Sequence, residues 1–326
     1  MKSHSSALLI LLLVAGCDDS PRPKPAAFPS TPGSPVPRAD PPAPPTLAEA
    51  RRGFRTRIVK PAASHEPIPE PPAGVFRTVR FDSPTGKLAA YLSPSPGDGK
   101  KHPAIVWIFG GFDNSIGDPA WVDGPPENDQ SASAFRKAGL VMMYPALRGG
   151  NDHPGPKEAF YGEVDDVLAA AEFLAHRDYV DPARIYLGGH STGGTLALLA
   201  AESTDRFRAV FAFGAADDVS GYGADELPFD LSNPREIQLR SPVLWLAGIR
   251  NPVFLLEGSD GNVGSLRTLA AASRNPLVHA FTVPNANHFS VLAPATRLIA
   301  EKVVRDDGPA CNITLSQDEL DRLMRP

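Results

Sequence analysis

Continuous apolar runs alternate with stretches of helical period along most of this chain. Pro103–Phe109 ("PAIVWIF"), Leu140–Pro145 ("LVMMYP"), Arg184–Gly188 ("RIYLG"), Arg208–Gly214 ("RAVFAFG"), Asn251–Gly258 ("NPVFLLEG") and His279–Pro284 ("HAFTVP") are short runs with little polar interruption. Such runs suit strands covered on both faces of a sheet. Between them, "SASAFRKAGL", "GEVDDVLAAAEFLAHRD", "VGSLRTLAAAS" and "FSVLAPATRLIAEKVV" repeat apolar residues at helical spacing. "VFRTVRF" and "KLAAYLS", joined by "SPTG", predict a leading strand pair. "SQDELDRLM" opens on Ser316 and Glu319, the spacing of a capping box, and predicts a short terminal helix. Strands alternating with helices imply an α/β domain with a mostly parallel central sheet flanked by helices. Asp217–Arg240 predicts a small cap between two strands, with Tyr222, Phe229 and Leu231 as candidates to line a pocket.

The pattern breaks down before Gly74. Nearly half of the 36 prolines fall between Asp18 and Ala73. Proline removes backbone donors and favours extended chain. Residues 17–73 are therefore expected to form a proline-rich tether, with a short helix within "TLAEARRGFRTRIVK", and residues 74–326 the folded domain. Ahead of the tether, residues 1–16 read as a signal peptide: Lys2, then the apolar run "ALLILLLVA". "VAGC" resembles the lipobox of bacterial lipoproteins, which implies lipidation of Cys17 and anchoring in the cell envelope, at the inner membrane facing the periplasm or at the outer membrane. With Cys17 lipidated, Cys311 has no intramolecular disulfide partner. A net charge of −5 argues against a nucleic-acid partner. No metal-ligand spacing or cofactor motif is visible.

The chemistry concentrates at Gly189-His190-Ser191-Thr192-Gly193, which fits G-x-S-x-G between a strand and a helix. A tight strand-to-helix turn exposes the serine oxygen, and the helix N-terminus favours negative charge beside it. The alternatives are a structural glycine turn or a phosphate loop; for the latter, Gly194 stands where the lysine must be. A serine nucleophile needs a base and an orienting acid. His279 and His288 are the downstream histidines. His288, in a loop before a helix, is the better-placed base, because His279 begins a strand. Asp260 on the loop after "NPVFLLEG" is the favoured acid, with Glu257, Asp217 and Asp218 as alternatives. Oxyanion donors are expected from the backbone of Thr192 and of Gly110 and Gly111.

These residues resemble the α/β-hydrolase superfamily and, more narrowly, the catalytic domain of the prolyl oligopeptidase family. "IFGGFDNSIG", "PALRGGND", the long block from "EVDDVLAAAEFL" to "GGHSTGG", "SPVLWLAGIRNPVFLLEGSDGNV" and "NHFSVL" fall in that family's motif order. The resemblance implies an α/β-hydrolase fold, a Ser191–Asp260–His288 triad and an acyl-enzyme route to cleavage of a carboxylic ester or a peptide or amide bond. It departs from the family at Phe109, where many members have a tyrosine that binds the oxyanion, and the lipase-like H-G-G-G is absent too. A proline-rich stretch, in place of a β-propeller, precedes the domain. Phe109 motivates the competing reading, a non-catalytic hydrolase fold serving as an envelope binding module.

Overall fold

The computed structural model describes residues 45–324; Cys17 and the expected signal peptide lie outside the described residues. After helix α1 (Leu47–Arg51), strands β1 (Arg77–Ser83), β2 (Gly86–Leu92) and β3 (His102–Ile108) lead to α2 (Ser133–Lys137) and β4 (Val141–Pro145). Then come α3 (Gly162–Ala175), β5 (Val180–His190), α4 (Thr192–Ala201), β6 (Val210–Phe213) and α5 (Pro234–Gln238). The chain closes with β7 (Val253–Gly258), α6 (Val263–Ala272), β8 (Val278–Val283), α7 (Leu292–Arg305) and α8 (Gln317–Leu320). The eight strands form one sheet in the order β1-β2-β4-β3-β5-β6-β7-β8. β1, β2 and β4 pair antiparallel and all later pairs are parallel. This is the mostly parallel, helix-flanked sheet expected from the alternating pattern, and it fits the α/β-hydrolase fold that the resemblance implies.

The apolar runs are continuous because both faces of the sheet are covered. On β3, Ala104, Val106 and Ile108 enter one core while Ile105 and Trp107 enter the other. Successive strand side chains point to opposite faces, so each run serves two layers. The first core is closed by Val164 and Val167 of α3, Leu196 and Leu199 of α4 and Leu266 and Leu269 of α6. The second is closed by Phe135 of α2, Ile299 and Val303 of α7 and Leu320 of α8. Ser316 accepts from the Glu319 N–H and the Glu319 carboxylate accepts from the Ser316 N–H, so the terminal capping box forms as read.

The tether expected to extend to residue 73 is shorter than that. Thr46 and Glu49 form a second capping box, and Leu47 is fully buried in the first core. Arg51 makes an ion pair with Asp165 at 2.8 Å. Ile58 bridges Phe229 in antiparallel register. The physical reason is the buried Glu236–Arg240 pair, whose members are both shielded from solvent. Charges taken out of water need several partners. Thr56 Oγ1 and the Arg57 N–H donate to the Glu236 carboxylate at 2.9 and 2.7 Å, and Arg240 Nη2 donates to Thr56 Oγ1 at 2.7 Å. The segment before the first strand is thus part of the domain. Of the cap residues named from sequence, Phe229 is buried in the core under the Arg240 guanidinium, Leu231 is exposed and Tyr222 lines a cavity.

A tether residue contributes nothing to folding, whereas a core leucine does. Leu47→Ala is expected to destabilise the protein by about 2–4 kcal/mol in urea denaturation. An unchanged midpoint would return this segment to a tether.

Candidate active site

The parallel strands deliver the candidate residues to one edge of the sheet. Gly110 and Gly111 follow β3, Ser191 follows β5, Asp217 follows β6, Glu257 is the penultimate residue of β7, and His288 follows β8. Open parallel sheets gather ligands at this carboxyl edge.

Ser191 sits between β5 and α4 at φ 57°, ψ −118°. That is left-handed backbone for a residue with a Cβ, a strain of about 1–3 kcal/mol tolerated where the surroundings enforce it. Here the Ser191 N–H donates to the Phe213 carbonyl at 2.8 Å, and the Thr195 N–H closes the first helical turn on the Ser191 carbonyl at 2.9 Å. The result is the sharp turn read from G-x-S-x-G. Thr192 is the first residue of α4, so its N–H has no partner within the helix. Its hydroxyl donates to the Gly111 carbonyl at 2.7 Å and ties the loop after β3 to the helix start. A Cβ on Gly110 would stand 3.2 Å from the Ser191 Cβ and from His190 Nδ1. A side chain here would crowd the serine turn, and its neighbours would have to give by a few tenths of an ångström. Phe109, the departure from the family, stacks on Tyr144 with ring centroids 4.9 Å apart.

Ser191 and His288 line one cavity of about 390 Å³. The acid at His288 is not the one favoured from sequence. His288 Nδ1 donates to Glu257 Oε2 at 2.8 Å, and Glu257 is only 1% exposed. Asp260 is exposed, and its carboxylate accepts from Ser259 Oγ at 3.1 Å. The difference lies in the turn after β7: the Asp260 N–H donates to the Ala286 carbonyl, which anchors the backbone to the histidine loop while the side chain stays outside. Glu257 is held at the end of the strand, with the Gly258 N–H donating to Oε1 at 2.7 Å. Gly214 makes the room, since a Cβ there would meet His288 Cε1 at 2.4 Å and Glu257 Oε2 at 3.0 Å. The available signal for Glu257 was its position at the sheet edge. His279, the other downstream histidine, is in β8, stacked on Phe254.

His190 is the residue that sequence reasoning passed over. Its Nε2–H donates to the His288 carbonyl at 2.9 Å, and the two rings lie 4.5 Å apart. Burial, reinforced by repulsion from His288, pushes the His190 pKa down to about 4. The ring is therefore neutral near pH 7, with its proton on Nε2. His190 thus joins the serine turn directly to the backbone of the histidine loop.

Comparison with known proteins agrees with this architecture. The Prolyl oligopeptidase family profile matches residues 126–298, just over half of the chain and inclusive of Ser191, Glu257 and His288. Prolyl oligopeptidase A of Amanita bisporigera is 31% identical over 120 residues, covering 35% of this chain and 14% of the relative. The dual function macrocyclase-peptidase POPB of Galerina marginata is 29% identical over 101 residues, covering 29% and 13%. The chain thus spans a small part of these relatives' length. Among solved structures, a Mycobacterium tuberculosis puromycin-hydrolyzing peptidase superposes with a TM-score of 0.58 at 23% identity, over 71% of this chain and 39% of that one. A Pyrobaculum calidifontis esterase superposes with a TM-score of 0.55 at 17% identity, over 72% and 86%. At these identities the structures speak for the fold, and the profile for the lineage: this chain belongs to the prolyl oligopeptidase family.

Proposed function

We propose that the protein is a serine hydrolase that cleaves a carboxylic ester, or alternatively a peptide or amide bond, through an acyl-enzyme. The observation that carries this reading is the His288–Glu257 hydrogen bond in the cavity that Ser191 lines. Ser191 Oγ attacks the substrate carbonyl carbon as the His288 imidazole takes its proton at Nε2. Glu257 holds the ring by Nδ1 and stabilises the imidazolium that forms. The carbonyl oxygen becomes an oxyanion, received by the Thr192 N–H and by the backbone of Gly110 and Gly111. The tetrahedral intermediate then collapses, and the proton passes from His288 to the leaving alcohol or amine. Water repeats the sequence to release the acid. No cofactor is needed for these steps.

Among the described residues no hydrogen bond joins the Ser191 hydroxyl to His288. Such contacts often tighten only when substrate is bound. Ester hydrolysis is the first choice because Phe109 offers no side-chain donor to the oxyanion, which leaves the backbone amides to do that work. In our reading a lipid on Cys17 holds the domain at a membrane of the cell envelope. The alternative of a non-catalytic binding module gains no support from Phe109, whose ring is packed against Tyr144.

Turnover of short-chain nitrophenyl esters should vanish in Ser191→Ala, together with labelling by a fluorophosphonate. Glu257→Gln should lower kcat by about a thousandfold or more, as loss of the orienting acid does elsewhere, while Asp260→Asn should stay within about threefold of the wild type. The reverse ranking of these two variants would restore Asp260 as the acid.

A depressed histidine pKa has a definite sign for stability. The unfolded chain binds a proton near pH 6.5 that folded His190 refuses until about pH 4. Its contribution is complete above pH 6.5 and is lost as pH falls toward 4. Between pH 7 and pH 5 it amounts to about 2 kcal/mol. His190→Gln should remove that loss. The measurement is the wild-type minus variant difference in denaturation free energy at the two pH values, which cancels the opposite slope from the buried Glu163 and Glu202 carboxyls, both raised by burial. A difference independent of pH would refute the assignment.

A further inference from the structure

The cavity beside Ser191 has a one-sided charge that the proposed chemistry does not use. Besides Ser191 and His288 it is lined by Asp217, Asp218 and Tyr222, and by no lysine or arginine among the described residues. The two carboxylates differ. Asp218 caps the turn that follows it: Oδ1 accepts from the Ser220 N–H at 2.8 Å. The Asp217 carboxylate has no hydrogen bond and no ion pair among the described residues. Its backbone is nevertheless fixed, because the Asp217 carbonyl accepts from the Val243 N–H at 3.1 Å. A half-buried carboxylate without a protein partner, held at the wall of a reaction cavity, is an unused counter-charge.

Tyr222 supplies the second element. Its hydroxyl lies 2.6 Å from Thr195 Oγ1. Thr195 Oγ1 accepts from the Ala216 N–H at 2.8 Å and donates to the Ser191 carbonyl at 3.3 Å, so the tyrosine is the donor between the two hydroxyls. The ring is braced by Phe160, stacked at 5.2 Å, and by Phe112, edge-on at 5.2 Å. An aromatic ring fixed in place beside a free carboxylate is the pairing that receives an organic cation, by charge and by the ring quadrupole together.

Resting on the hydrolase reading above, we propose that this cavity selects substrates carrying an ammonium or guanidinium group close to the scissile carbonyl. Asp217 is the counter-charge and Tyr222 the aromatic wall. Neutral substrates of the same shape leave the Asp217 carboxylate unpaired, and anionic ones meet two carboxylates.

The test uses the full chain and two matched pairs of esters. Nα-benzoyl-arginine ethyl ester against its citrulline counterpart places the cation on the acyl side. Acetylcholine against its neutral carbon isostere, 3,3-dimethylbutyl acetate, places it on the leaving group. The expected result is a kcat/KM preference of about tenfold or more for the cation in one pair, as for a hydrogen bond to a charged group. The ratio should fall toward one in Asp217→Asn and shrink in the wild type as salt is added. A wild-type ratio near one in both pairs overturns the proposal, as does a ratio retained in Asp217→Asn. If Asp217→Asn does not fold, inhibition of the wild type by butylguanidinium against butylurea decides, and equal inhibition overturns the proposal. If the wild type turns over neither these esters nor the corresponding nitroanilides and Ser191 takes no fluorophosphonate, the hydrolase reading fails by itself. Calorimetric binding of Nα-benzoyl-arginine amide against citrulline amide then reads the cation subsite alone, with equal affinities counting against it.

Discussion

One backbone constraint organises the site: Ser191 at a positive φ between a buried strand and a buried helix. Neither the strand nor the helix would choose that conformation. It persists because β5 is hydrogen-bonded to a strand on each side and every residue of α4 is buried, so both ends of the turn are clamped. The strain is a small fraction of the apolar burial around it, at roughly 1.5–3 kcal/mol for each large side chain. Everything else in the site is placed relative to that turn. The loop after β3 approaches it closely, with glycine at position 110, and the first N–H of α4 is left without a partner in the helix.

The second constraint is electrostatic. The hydrogen-bonded carboxylate and imidazole in the serine's cavity must be dry at one end and open to substrate at the other. Glu257 takes the dry end, almost wholly buried at the close of β7, and His288 the open end, in the wall of the cavity. His190 spans the gap between serine turn and histidine loop with a hydrogen bond to backbone. That bond is durable because burial keeps the imidazole neutral. A charged ring there would repel the imidazolium that forms on His288 during the proposed reaction.

The cap follows the same logic at larger scale. Arg240 and Glu236 are shielded together, and the polar groups they still require come from residues 56 and 57, far away in the chain. Burying an ion pair in the cap thereby recruits the segment before the first strand into the domain. Tyr222, at the other end of the cap, is locked through Thr195 to the helix that follows the serine.

The sequence by itself determined the layered α/β architecture, the strand-turn-helix around Ser191, the placing of His288 in the loop after the last strand and the terminal capping box. Each depends on a local pattern: apolar runs, helical period, glycines flanking one serine, a serine three residues before a glutamate. What only the tertiary structure decided were relations between distant segments. Asp260 and Glu257 differ by three positions and are both carboxylates at a strand end, and local pattern favours the looser loop residue. The choice went to Glu257 because the turn after β7 is anchored to the histidine loop by backbone, which leaves Asp260 outside and Glu257 under the imidazole. Likewise, prolines between residues 61 and 73 read as tether, yet the residues just before them are held by a buried charge pair nearly two hundred positions later. Periodicity reports which face of an element is apolar. It carries no record of which distant polar group will need a partner once water is gone.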